Sequence, residues 1–293
     1  MALLTRYRNQ VSLALRRPIV GLFDGVHQAV NAGRSLDFND LREYVRGDDV
    51  ADIDWKASAR NGELLVKRHV AERRATLLLA VATGRDLAGM ASPRESKLRV
   101  AIGVAATLGS LAVAHGDYVG LLRSSGPKVH LTRPSTRPVA LERMLGEIVR
   151  TVSPHSPEAD LDRLLEVTAG SIRRRGMVAV ICGDIDIDPS LEARLRRLSR
   201  QHDVLLISIG DLDPTVPALN GRMVLGLDDR RILPEELRRD PELATQLRAE
   251  RQARLERRSS VLTGLRISQL SLESDENVVP RVLDLVRRHS RAR

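Results

Sequence analysis

A single cysteine and a 2% share of aromatic residues are the scarcest features of this 293-residue chain. One thiol excludes an internal disulfide and a multi-thiolate metal cluster within the chain, which suits a reducing compartment. Cys182 sits in the apolar run MVAVICGD, so it reads as a small buried hydrophobe and not as a nucleophile. With so few rings, the core must be made of Val, Leu, Ile and Ala, and stacking platforms for single-stranded nucleic acid are nearly absent.

Other absences narrow the function classes. The N-terminal stretch MALLTRYRNQVSLALRRP has scattered arginines and no continuous apolar segment, so no signal peptide is read there. The longest uncharged run, Val100 to Gly116, falls at or below the roughly 17–25 residues of a spanning helix and reads as a core helix. A cytoplasmic protein without a membrane span is expected. The phosphate-binding, dinucleotide, zinc-protease and serine-hydrolase signatures are all missing, so none of those familiar devices serves nucleotide binding or hydrolysis. Histidines such as His69, His115 and His202 are singly placed.

The chain does carry charge: 47 Lys and Arg against 38 Asp and Glu give a formal +9. Asp37 to Asp54 is locally acidic, whereas Arg194 to Arg200, Arg248 to Arg258 and Arg287 to Arg293 are basic. Helical spacing turns many of these arginines to solvent, so no specific nucleic-acid surface is expected. The 42% hydrophobic content is enough for one large core or two modest ones.

From Thr76 onward, short apolar runs alternate with longer amphipathic ones. Strands are predicted at Thr76 to Ala82, Asp117 to Leu122, Lys128 to Leu131, Met177 to Cys182, Val204 to Ile209, Met223 to Leu227 and Leu265 to Leu272. Helices are predicted at Glu95 to Ala114, Thr136 to Thr151, Leu161 to Arg175, Pro189 to Gln201, Pro234 to about Arg258 and Val278 to His289. Strands joined through helices need crossovers, which implies an α/β, three-layer Rossmann-like domain with a mostly parallel sheet, here residues 75–293. Residues 1–74 differ: a helix to about Arg17, a second over roughly Leu22 to Asn31, then turns and short extended pieces with a hairpin signal at Asn61-Gly62. This extension is expected to pack on the sheet.

Within it, Leu41 to Arg68 concentrates acids, bases, a Gly turn and the only Trp. Gly47 suits a turn that a Cβ would strain, and Asp48 and Asp49 suit turn amides. Trp55 is expected to be a buried apolar anchor, with Asp52, Asp54, Lys56 and Arg60 forming a charge network around it. The pattern formed by Gly33, Asp37, Phe38, Leu41 to Tyr44, Gly47 to Asp49, Ile53 to Arg60, Gly62 and Leu64, with GDLDPTVPALNGRMVLGLDD at Gly210 to Asp228, resembles the bacterial domain-of-unknown-function 58 family.

That resemblance implies a von Willebrand factor A-like domain in residues 75–293 and a partner, a MoxR-type AAA+ ATPase, whose genes typically lie beside those of the family. It also implies a Mg²⁺ site at the C-terminal edge of the sheet, built on an Asp-x-Ser-x-Ser loop. Here that loop reads Ala82-Thr83-Gly84-Arg85-Asp86: Ala82 replaces the carboxylate, and Arg85 adds a positive charge. No cofactor is expected, and the alternative cation ligands are Asp86, Asp184 and Asp186.

The leading expectation is a non-enzymatic protein–protein interaction module that works with a MoxR-type ATPase, and with a client protein, in assembly, maturation or stress handling. Its docking residues are taken as Asp48, Asp49, Asp54, Trp55, Lys56, Arg60 and Arg85. A metal-dependent hydrolase and a nucleic-acid-binding accessory protein are the alternatives.

Overall fold

The computed structural model describes residues 3–15, 38–45, 48, 50, 53–69 and 74–291. Two compact units emerge, one of Met1–Phe23 with Ala75–Arg293, the other of Asp24–Arg74. The first helix, α1 (Leu3–Leu15), therefore belongs to the larger unit. The helix expected over Leu22 to Asn31 lies outside the described residues.

In the smaller unit, β1 (Phe38–Glu43) pairs antiparallel with β2 (Leu65–His69). Between them, the segment expected to form a hairpin turn is a helix, α2 (Trp55–Asn61). The Asp54 carboxylate accepts hydrogen bonds from the Lys56 and Ala57 amides at 3.1 and 3.0 Å, satisfying donors that an uncapped helix would leave bare. Gly62 ends the helix with φ 76° and donates its N–H to the Ser58 carbonyl. A left-handed glycine serves a hairpin turn and a helix C-cap equally well, so Asn61-Gly62 alone did not distinguish them. Ser58 Oγ then accepts from the Leu65 amide at 2.8 Å, tying α2 to β2.

The larger unit holds a six-stranded sheet of β3 (Thr76–Val81), β4 (Tyr118–Ser125), β5 (Lys128–Ser135), β6 (Met177–Cys182), β7 (Asp203–Ile209) and β8 (Ser268–Leu272). Its order is β5-β4-β3-β6-β7-β8, parallel throughout except for the antiparallel edge strand β5. β6 and β7 are buried along their whole length, as strands covered on both faces must be. Helices α3 (Lys97–Ala114) and α4 (Pro138–Thr151) lie on one side with α1 and α9 (Val278–Arg291); α5 (Leu161–Ser171), α6 (Pro189–Gln201) and α8 (Pro241–Gly264) lie on the other. Alternate residues Leu78, Ala80, Val178, Val180, Val204 and Leu206 meet Leu164, Leu195, Leu198 and Leu262 across the second layer. Each such leucine contributes about 1.5–3 kcal/mol of burial. The architecture is the expected α/β one, a mostly parallel sheet with helices on both faces.

α3 is long and apolar enough to cross a membrane by composition, yet most of its side chains are buried within the fold. Two expectations need correcting. Met223 to Leu227 is no strand; Leu225 makes only an isolated bridge to Ile232, because β8 already occupies the edge of β7. The single helix expected from Pro234 is two, α7 (Glu235–Arg239) and α8. Asp240 caps α8 through the Glu242 and Leu243 amides, and Pro241 at its first turn has no N–H with which to continue α7.

Candidate functional site

β3 and β6 are neighbours in the sheet, but the chain leaves β3 for β4 on one side and β6 for β7 on the other. The crevice beyond their C-terminal ends is therefore the topological switch point, where loops diverge and open α/β sheets take their ligands. Three loops meet there, after β3 (Ala82 to Asp86), β6 (Gly183 to Asp188) and β7 (Gly210 to Asp213). The Leu212 amide donates to the Met90 carbonyl at 2.9 Å, and Arg251 Nη2 to the Leu212 carbonyl at 2.9 Å.

Lys97, the first residue of α3, occupies the centre. Its side chain is 1% exposed; Nζ lies 2.6 Å from Asp86 Oδ1 and also pairs with Asp211 Oδ1. Gly183 makes room for this arrangement, since a Cβ there would fall inside the Asp86 carboxylate. Burial is the largest influence on Asp86 and lifts its carboxyl above the usual value; Lys97 opposes the lift, and the Asp211 and Asp228 charges add to it. Burial works against the Lys97 ammonium as well, but Asp86 and Asp211 outweigh it and leave the lysine above its ordinary value. Both groups hold their protons more tightly, the mark of more carboxylate than ammonium in a poorly solvated place.

The neighbouring acids are held in the same way. Arg258, 3% exposed, donates to Asp184 Oδ1 at 2.6 Å and to Ser271 Oγ at 3.0 Å. Arg254 bridges Asp184 at 3.4 Å and Asp186 at 3.3 Å. Arg85 pairs not with Asp184 but with Asp228 at 2.9 Å and Glu158 at 3.6 Å. Burial pushes the Cys182 thiol up to about 12, far from a reactive thiolate.

These donors do not fit Mg²⁺. A hard cation needs about six oxygens, whereas Asp86, Asp184 and Asp186 each already face a tethered base, and Ala82 supplies no oxygen side chain. Among the described residues, no three His, Cys, Asp or Glu side chains are grouped to hold a metal.

The chain matches the family model described as "Protein of unknown function DUF58" over residues 40–230. It belongs to the DUF58 family. A relative, the uncharacterized protein Rv1480 of Mycobacterium tuberculosis, is 28% identical over 206 residues, covering 70% of this chain. The chain spans 63% of the length of that curated relative. Among solved structures it is similar to BatB from Bacteroides thetaiotaomicron, with TM-score 0.47 and 11% identity over 74% of this chain and 99% of that one. A von Willebrand factor type A protein from Catenulispora acidiphila gives TM-score 0.38 and 10% identity over 77% and 44%.

The DUF58 stretch in the smaller unit carries the remaining candidate residues. Trp55, the first residue of α2, is 62% exposed and is not the buried anchor expected. Asp54 serves as the helix cap, Lys56 and Arg60 are exposed, and Asp48 accepts from the Val45 amide at 2.9 Å. Asp49 and Asp52 lie outside the described residues. Lys97, Asp211 and Arg258 were missed by sequence reading. One signal for Lys97 was available: a cation at a helix N-terminus opposes the helix dipole, so a lysine there needs carboxylate neighbours.

Proposed function

We propose that this DUF58 chain is a non-enzymatic protein–protein interaction module that docks a MoxR-type AAA+ ATPase without a bridging metal, in protein assembly, maturation or stress handling. The observation that carries the reading is the Lys97 ammonium seated between Asp86 and Asp211 at the switch point. It gives the loops a permanent internal counter-ion and leaves half-exposed carboxylates, with Arg85 and Asp228 beside them, facing outward. Such a preformed charged surface acts on association rate and register.

The exposed Trp55, Lys56 and Arg60 of α2 form a second candidate contact, since an exposed Trp is typical of interface hot spots. The hydrolase alternative needs Asp86, Asp184 and Asp186 to share a cation, and each is instead engaged by a base of the chain.

The test is association between this chain and the MoxR-type ATPase of the same genome, measured by interferometry with ATP, ADP or no nucleotide. Association in at least one state, weakened at least tenfold by Asp211→Ala with Arg85→Ala, is expected. No association in any of the three states overturns the reading.

A further inference from the structure

A cavity of about 860 Å³ opens at the opposite, N-terminal edge of the sheet, where β7 and β8 begin. Four arginines line it from three separate chain segments: Arg175 ahead of β6, Arg196 and Arg200 in the last turns of α6, and Arg266 between α8 and β8. No carboxylate is among the lining residues.

The positive charge is only partly compensated. Arg175 donates to Asp203 Oδ1 at 2.7 and 3.0 Å, and Arg196 pairs with Glu192 one turn away. Arg200 and Arg266 have no ion pair among the described residues. Arg266 also holds a left-handed backbone, φ 57°, where glycine would be the unstrained choice.

Two histidines, His202 and His289, are 3% and 5% exposed at the cavity wall. Burial pushes both below the usual imidazole value, and the Arg175 charge adds to the effect. His289 Nδ1 lies 2.8 Å from Ser268 Oγ, while its Nε2 is buried with no hydrogen-bond partner among the described residues.

Arginines at helix C-termini compensate helix dipoles, which accounts for Arg200 and Arg266 one at a time. Dipole compensation does not explain four guanidiniums from three segments around one cavity with no carboxylate in its lining.

We propose that this cavity binds a small molecule carrying two or more phosphoryl groups. Guanidinium forks match phosphate oxygens two at a time, and the volume is that of a small-molecule site. The Thr263 hydroxyl supplies a further donor in the wall. This site lies at the other end of the sheet from the switch point, so its fate is independent of the ATPase reading.

Titration calorimetry of the full chain with inorganic pyrophosphate and with tripolyphosphate, in 150 mM NaCl, is the test. Saturable one-site binding is expected, weakened at least tenfold in the exposed double variant Arg200→Ala, Arg266→Ala. Arg197→Ala, on the same helix but outside the cavity, should bind as the wild type does. In the wild type, the His289 ring resonances should move during the titration, a readout that needs no variant. Absence of saturable binding at millimolar probe overturns the proposal. So does equal weakening by Arg197→Ala, which would indicate bulk charge, or binding of a duplex oligonucleotide but not of pyrophosphate.

Discussion

Lys97 Nζ lies 2.6 Å from Asp86 Oδ1 on a side chain that is 1% exposed, although Lys97 begins a helix whose dipole disfavours a cation there. Removing the ammonium leaves Asp86 and Asp211 repelling each other in a crowded crevice. Breaking a buried pair from one side costs about 3–5 kcal/mol, and the half-exposed carboxylates place Lys97→Met near the lower end, about 3 kcal/mol. Urea unfolding at pH 7 measures it, and a loss below about 0.5 kcal/mol would mean that the pair is fully screened.

The same pair sets a pH dependence. Lys97 is raised in the folded state, so its stabilisation is complete below the unfolded value of 10.5 and is lost as pH rises through the folded value. Asp86 is also raised, so its contribution is fully present below the unfolded value of 3.8 and is lost as pH rises through the raised folded value. Wild-type stability should therefore fall above about pH 10.5 more steeply than that of Lys97→Met, while the variant should recover part of its deficit at acid pH. Unfolding curves collected across both windows check the two slopes.

Arg258 and Asp184 form the second lock, with side chains 2% and 14% exposed at 2.6 Å. Arg258→Met should destabilise by about 3–5 kcal/mol. Asp184→Asn in the same molecule should recover part of that, giving a coupling of about 1–3 kcal/mol in a double-mutant cycle. Additive effects would show that the two side chains do not depend on each other.

Trp55→Ala should leave unfolding free energy within about 0.5 kcal/mol of wild type, as exposed substitutions do, because Trp55 is 62% exposed. Asp54→Ala, which removes the cap of α2, should cost about 1 kcal/mol, read as faster hydrogen exchange at the Lys56 and Ala57 amides.

Where one segment's own pattern decides its structure, the sequence was readable. Met177–Cys182 and Pro189–Gln201 have the boundaries expected, the first from a continuous apolar run and the second from an amphipathic stretch that opens on Pro189. Lys128–Ser135 runs farther than expected, because pairing with β4, and not its own apolarity, sets its length. Trp55 misled because residue type alone does not fix burial: it begins a short helix and is exposed there. The loops holding Asp86 and Asp184 were placed correctly at the sheet's C-terminal edge, but their partners were not. Lys97 lies 11 positions from Asp86, Arg258 74 from Asp184 and Asp211 114 from Lys97, and pairing across such separations leaves no periodic trace.

The tethered ammonium as the permanent occupant of the switch point is tested most directly by titration calorimetry with Mg²⁺ and Mn²⁺ on the wild type and on Asp184→Ala. No stoichiometric heat is expected from either protein at millimolar metal, since Lys97, Arg254 and Arg258 already compensate the carboxylates. Micromolar, one-to-one binding by the wild type that disappears in Asp184→Ala would contradict that claim and reopen the hydrolase alternative.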